Sequence, residues 1–426
     1  MKVLKSKMEN KLNIRKEFEK LNFDKKSLEN RIINFNKFLN SGFPTKKEEA
    51  WKFSDLKNIV KNNIEELKFF NEKLSNVKNE KLSEEYLPKN LGEFNSIELV
   101  NGIVKKINLK FEDMNSIKID IIKNYETSFS ENNLVQLNNA LYFENLNVVI
   151  KQNYSFKKPL VLFNYFKNNI HSTNINQKIN IKLENNSTLS LINIFCEKSN
   201  SNFINVYNNY YLCENAVLKN YIIDANENNN LKYLYSNIDL DKNSVSENFI
   251  YSAGSKFAKH EVLCNLKDKY SSAFINGIIN LDKDKHHEIQ TKINHLNENT
   301  KSYQLVKSVL KDKSKGVYQG KIYVDSTAQK TDGYQLSKAV LLNSENEFSA
   351  KPELEIYADD VKCSHGSTSG NLDENKIFYL MTRGLSYRDS KNLLIEGFLT
   401  DVIDKITNQH VKKIVFKILK DQNEHR

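Results

Sequence analysis

The chain has 426 residues and carries 63 Lys+Arg against 53 Asp+Glu, a formal charge of +10. That length allows a sizeable buried core, and 39% hydrophobic content with 24 Phe and 20 Tyr excludes wholesale disorder. The positive charge does not indicate nucleic acid: five basic residues are Arg (Arg15, Arg31, Arg383, Arg388, Arg426) and the rest Lys, whereas planar recognition of phosphates and base edges leans on Arg.

Along the chain, the first 93 residues read as a helical unit. Leu12, Phe18, Leu21, then Ile32, Ile33, Phe35, Phe38 and Leu39 recur at near-helical spacing among charges. Gly42 and Pro44 interrupt this pattern, and Trp51, the single tryptophan, opens a second helical stretch toward Leu67. Met1 to Arg15 is charged throughout and lacks the apolar segment of a signal peptide. No run of about 18 apolar residues could span a bilayer. The expectation is a soluble, cytoplasmic protein with no membrane partner.

From residue 94 to 370 the texture becomes that of an all-β core. Apolar residues alternate over short runs (Ile175, Ile179, Ile181, Leu183; Leu189, Leu191; Ile204, Val206) separated by Asn, Ser and Asp clusters. A motif repeats within it: Leu183 to Leu189 recurs as Leu212 to Leu218 and, more weakly, as Leu240 to Ser246. Its asparagines, Asn186, Asn215 and Asn243, lie 29 and 28 residues apart. Periods of this size predict stacked solenoid coils, with Asn adopting the unusual backbone angles of each corner.

Residues 371–426 turn helical again. Asp373 reads as the N-cap of a helix reaching Arg383, with Gly384 at the C′ position. Ser386 and Asp389 resemble a capping box. Leu394, Phe398 and Val402 then stripe one face, and Val411, Ile414, Val415 and Ile418 stripe a last helix. Such stripes face a core or a docking partner.

The chemistry concentrates between Pro352 and Gly370. Leu354, Ile356 and Ala358 share one strand face; Val361, Cys363 and His365 share a face in the opposite parity, so the pattern switches at Asp359-Asp360, where a corner would bend the chain. Cys363 and His365 would project together at a strand end, followed by a loop with Gly366 and Gly370. Thiolate with imidazole suits iron or zinc. Two ligands do not complete a tetrahedral site, so the remainder must come from elsewhere, such as another subunit. A metal-dependent or Cys–His enzyme centred on Asp359, Asp360, Cys363 and His365 is the alternative, although side chains two apart on a strand point in parallel and leave the His without an orienting group.

Other signals carry less. Cys196, Cys213, Cys264 and Cys363 are too scattered for a self-contained zinc site, cluster or disulfide framework. Gly316 to Ile322 imitates a phosphate loop but is one residue short and lacks the Ser/Thr after Lys321. His286, His287 and His295 match no ligand spacing and read as solvated surface.

From Gly316 to about Ile406 the chain resembles the SufB/SufD family of the SUF iron–sulfur cluster assembly system. The resemblance rests on Gln319-Gly-Lys-Ile322, Ala328-Gln-Lys-Thr-Asp-Gly333, Pro352-Glu-Leu-Glu-Ile356, Asp359-Asp-Val-Lys-Cys-Ser-His-Gly366, Ile377-Phe-Tyr-Leu380 and Arg383-Gly384, with Pro44…Glu49-Ala-Trp51-Lys-Phe53 near the start. The Asp-Asp-Val-x-Cys-Ser-His-Gly run favours the SufD branch over SufB; Ser367 departs from the usual Ala. The resemblance implies a right-handed parallel β-helix flanked by helical segments. It implies a non-enzymatic scaffold in a SufBCD complex, pairing with SufB as a heterodimer, or as a homodimer when alone. It further implies that the C-terminal helices dock the ATPase SufC. His365, with Cys363 as a secondary candidate, would line the interface holding a transient iron–sulfur cluster or iron. A reduced flavin also associates with family complexes, and no motif here places one.

Overall fold

The computed structural model describes residues 14–21, 23, 25–74, 94–123, 130–167, 170–197 and 201–424. Its body is a two-sheet parallel β-solenoid. One sheet contains β1 (Asn95–Val100), β2 (Ile103–Asn108), β5 (Leu160–Phe166), β7 (Thr188–Glu197), β9 (Val217–Asp224), β11 (Val245–Ser252), β13 (Ser272–Leu281), β15 (Lys301–Leu310), β17 (Asp332–Leu341) and β19 (Lys362–Asn371). The other contains β3 (Ile117–Ile122), β4 (Asn145–Ile150), β6 (Asn174–Leu183), β8 (Phe203–Leu212), β10 (Leu231–Leu240), β12 (Phe257–Leu266), β14 (His286–His295), β16 (Lys315–Val324) and β18 (Glu347–Ile356). Among the described residues only β1–β2 and β3–β4 pair antiparallel, at the start of the stack. The chain alternates between sheets, so each rung places one strand in each.

The corners explain the repeat. Asn186, Asn215 and Asn243 have φ of 59°, 58° and 56°, the left-handed region that Asn tolerates better than most residues. Their side chains also link rungs: Asn215 Nδ2 donates to Asn186 Oδ1 at 2.9 Å, and Asn186 Nδ2 to Asn153 Oδ1 at 2.8 Å. The same corner continues through Tyr270, Asn299 and Lys330, all at positive φ. At Tyr270 and Lys330 the Asn signal has gone from the sequence while the geometry persists, and Asn299 between them restores it.

Inward-facing residues such as Ile179, Leu212, Ile238, Ile275 and Ile293 are fully buried between the sheets. Gly316 to Ile322 is strand β16, not a phosphate loop. Two elements depart from the β reading of this zone: a 3-10 turn, Met114–Ser116, and helix α3 (Asn133–Leu141), capped by the Asn132 side chain.

Before the solenoid lie α1 (Lys25–Ser41) and α2 (Leu56–Asn63), the latter capped by Asp55. In place of a helix beginning at Trp51, a single 3-10 turn, Glu49–Trp51, precedes α2. These elements and α3 form a second core with Phe203, Leu231, Tyr233 and Phe257 of the β4–β18 sheet. Trp51 is its anchor. Lys259 Nζ lies 4.2 Å from the Trp51 ring centroid, and both Lys259 and Gln319 donate to the Ala50 carbonyl. Lys259 and Gln319 also share the buried carboxylate of Glu288.

After the solenoid come α4 (Glu374–Thr382), α5 (Tyr387–Ile403) and α6 (Gln409–Glu424). Asp373 caps α4 through Asn375 N and Lys376 N, and Gly384 follows at φ 95°. Ser386 and Asp389 form the capping box. The buried stripe of α5 is Ile395, Leu399, Val402 and Ile403, rotated from the expected Leu394–Phe398–Val402 face. With Val411, Val415 and Leu419 of α6 it covers the outer face of the β1–β19 sheet. Among the described residues no helix is long and apolar enough to cross a membrane.

Candidate functional site

The two sheets end at β18 and β19, each hydrogen-bonded on one side only, to β16 and β17. Both are ten residues long and exposed or half-exposed throughout, while β16 beside β18 is largely buried and β17 beside β19 buries alternate residues. The solenoid therefore has an open end with two free strand edges. Pro352 lies in β18, a position that only an edge strand tolerates well.

Cys363 and His365 stand near the start of β19, and Gly366 and Gly370 continue the same strand rather than forming a loop. Register sets Cys363 against Gly333 and His365 against Gln335. Cys363 packs toward Ile322, Val324, Ala328 and Ala358, the small core of the last rungs. A Cβ at Gly333 would stand 3.3 Å from its sulfur, so glycine there makes room for the thiol. Half-buried in this setting, the Cys363 thiol has its pKa raised, chiefly by burial. His365, on the same side of the strand, is exposed.

Asp359 and Asp360 occupy the corner between β18 and β19, as the parity switch implies. Both side chains are exposed. Asp360 acts through its backbone: its N–H donates to Gln329 Oε1 at 2.9 Å and its carbonyl accepts from Lys330 N at 2.6 Å. The structure thus brings Cys363 and His365 to one strand face and gives the two aspartates a corner role. Among the described residues no group of three or more His, Cys, Asp or Glu side chains could hold a metal ion. A soft thiolate and an imidazole from this chain make half a coordination shell, fitting a metal cargo only if others complete it.

Three histidines expected at the surface are not there. His287 and His295 are fully buried in β14, and His286 is partly enclosed, its Nε2 3.1 Å from Ser54 Oγ. His287 contacts Ser252 and the Ser255 carbonyl; His295 contacts Thr300 and Ser302. Burial pushes His287 and His295 down to about 4. They are neutral structural residues. Alternate positions of β14 hold them, a period masked in the sequence by polar neighbours.

A second feature went unread in the sequence. Phe378, Tyr379, Met381, Leu385, Tyr387 and Leu393 are all exposed around α4 and the start of α5, Phe378 at 68% and Tyr379 at 56%. An apolar cluster of this kind on a surface marks an interaction site.

The fold and site together define a parallel β-solenoid with free strand edges, a partial metal-ligand pair at its mouth and an exposed apolar helical patch. The profile for SUF system FeS cluster assembly, SufBD core domain, matches residues 165–398, more than half of the chain, and the chain belongs to this family. Relatives include the iron–sulfur cluster assembly protein SufD of Escherichia coli, 34% identical over 162 residues covering 38% of each chain. An iron–sulfur cluster assembly SufBD family protein of Synechocystis is 41% identical over 103 residues, 24% of this chain and 23% of its own. The SufD of Bacillus subtilis is 30% identical over 129 residues, 30% of each. The matched stretches span well under two thirds of these relatives' own length.

Proposed function

We propose that the chain is a non-enzymatic scaffold subunit of a SufBCD complex, pairing through β18 and β19 with SufB and holding a nascent iron–sulfur cluster between them. The free edge of β19 carries this reading. From Ser364 to Asn371, β19 presents only small or polar side chains and His365, with none of the charges, prolines or bulges that guard an edge against pairing. An edge left so bare fits extension by another strand. SufB is the expected partner, and a second copy of this chain is the substitute when it is alone. Across that seam His365 would meet ligands from the partner, with Cys363 behind it, and the cluster is cargo shared by two chains. SufC is the expected partner for the apolar patch on α4 and α5. The four free cysteines suit a reducing, cytoplasmic setting.

The enzyme reading centred on Asp359, Asp360, Cys363 and His365 has less support. A nucleophilic cysteine needs a lowered pKa, and burial raises that of Cys363. Co-expression with SufB and SufC, followed by anaerobic iron and sulfide analysis, tests the scaffold. His365→Ala is expected to leave the complex assembled and to cut its iron and sulfide content severalfold. Unchanged cluster loading would refute the role given to His365. Turnover by the isolated chain would support the enzyme instead.

A further inference from the structure

A groove of about 450 Å³ lies on the outer face of the β1–β19 sheet and ends on β17, the strand that pairs with β19 and its Cys363 and His365. Its floor is an aromatic column: Phe274, Tyr303 and Tyr334 occupy the same register position on β13, β15 and β17. The Tyr303 and Tyr334 rings stack with centroids 5.3 Å apart and planes 22° from parallel. Lys405 and Thr407, from the α5–α6 connection, form one wall, and Lys405 Nζ lies 5.7 Å from the Tyr303 centroid. Lys301 and Asp332, both exposed, stand at the rim.

The tyrosines are not spent on holding the helices. Elsewhere on this face hydroxyls tie helical segments down: Tyr221 meets Thr407 Oγ1 at 3.1 Å and Tyr251 donates to Gln422 at 2.7 Å. Among the described residues the Tyr303 and Tyr334 hydroxyls have no such partner, and their rings are half-exposed. Helix α5 instead seals Leu305 and Val309, further along β15. The charges are similarly uncommitted. Glu247 is matched by Lys219 at 3.5 Å. Lys301 and Lys405 make no ion pair among the described residues, leaving two cations against Asp332.

We infer that this groove binds a nucleoside phosphate, the base lying on the Tyr303–Tyr334 pair and the phosphate meeting Lys405 and Lys301. Aromatic side chains accept a planar heterocycle whatever the base, and a base can extend the Tyr303–Tyr334 stack. Lysines supply point charges for phosphate, and the volume suits a small ligand.

AMP is the probe, titrated into the full chain by calorimetry and saturation-transfer NMR, with adenosine and ribose 5-phosphate as half-ligands. Saturable AMP binding is expected, with the strongest transfer to the adenine protons, and each half-ligand binding more weakly. Tyr334→Ala should weaken AMP by about tenfold, Lys405→Glu should weaken it severalfold, and Tyr334→Phe, which keeps the ring and protects against a folding artefact, should bind normally. Absence of saturation at millimolar AMP, or affinity unchanged in Tyr334→Ala and Lys405→Glu, would overturn the inference. So would a single-stranded oligoadenylate that outcompetes AMP by orders of magnitude, since the occupant would then be nucleic acid.

Discussion

Cys363 and His365 are sequence neighbours with opposite environments. The thiol turns into the last small core, against Gly333, while the imidazole stands in solvent at the free edge. Burial holds the thiol in its protonated form, so alkylation of Cys363 by iodoacetamide at pH 8 is expected to run severalfold slower than that of a free cysteine. Mass spectrometry of the timed reaction reads this directly; a rate at or above the free thiol's would contradict the burial argument. Pairing along β19 would bury Cys363 further and slow it again. The i, i+2 spacing placed both residues on one face. Their unequal depth was not legible, because it depends on Gly333 and Ile322 from two other strands.

At the level of elements, the Asn corners and the N-terminal helix make contrasting cases. Asn215 combines a positive φ with a rung-to-rung hydrogen bond. Asn215→Ala is expected to cost about 1–2 kcal/mol, whereas Asn215→Gly relieves the backbone and costs less. Urea denaturation of the pair separates the two effects, and equal losses would mean that the hydrogen bond, not the backbone, dominates. Arg31 of α1 is fully buried and donates to the carbonyls of Ala140, Tyr142 and Lys123. Its guanidinium also lies 4.0 Å from the Phe23 ring centroid and 4.4 Å from that of Tyr142. Arg31→Ala would strand several carbonyls and is expected to cost about 3 kcal/mol or more, seen as a lowered urea midpoint. The Asn corners were visible because one residue type recurs at a fixed period. Arg31 was not, since its partners lie about a hundred residues away.

Over the whole molecule, the solenoid stacks buried ionisable groups as well as apolar ones. Lys232 is fully buried and bridges Glu197 and Asp224, with His260 beside them. Lys232→Met would leave two buried carboxylates unmatched, and a loss of about 3–5 kcal/mol is expected in denaturant unfolding. The buried histidines set the acid limit. Burial lowers His287 and His295 to about 4 and His260 to about 3, against about 6.5 in an unfolded chain. Between those values the unfolded chain binds protons that the folded one refuses, so stability is fully present above about pH 6.5 and falls as the pH drops toward 4. Thermal melting from pH 7.5 to 4.5 should show this decline, and His295→Gln should flatten it. A melting temperature indifferent to pH in that window would contradict the neutral, buried assignment.

The sequence by itself determined the class of fold and the family. A corner residue must recur wherever stacked rungs turn at the same angle, and the motifs between Gly316 and Ile406 stand in one contiguous block. Caps at Asp373 and Ser386 were equally legible because capping is local chemistry within three or four residues. The tertiary structure decided which side chains meet. It buried the histidines of β14, rotated the α5 stripe and left the outer edges of β18 and β19 free. It also placed Tyr303 above Tyr334 from strands 31 residues apart in register. Each outcome depends on stacking one rung upon another, and rung neighbours are distant in the chain, so no local pattern could carry them.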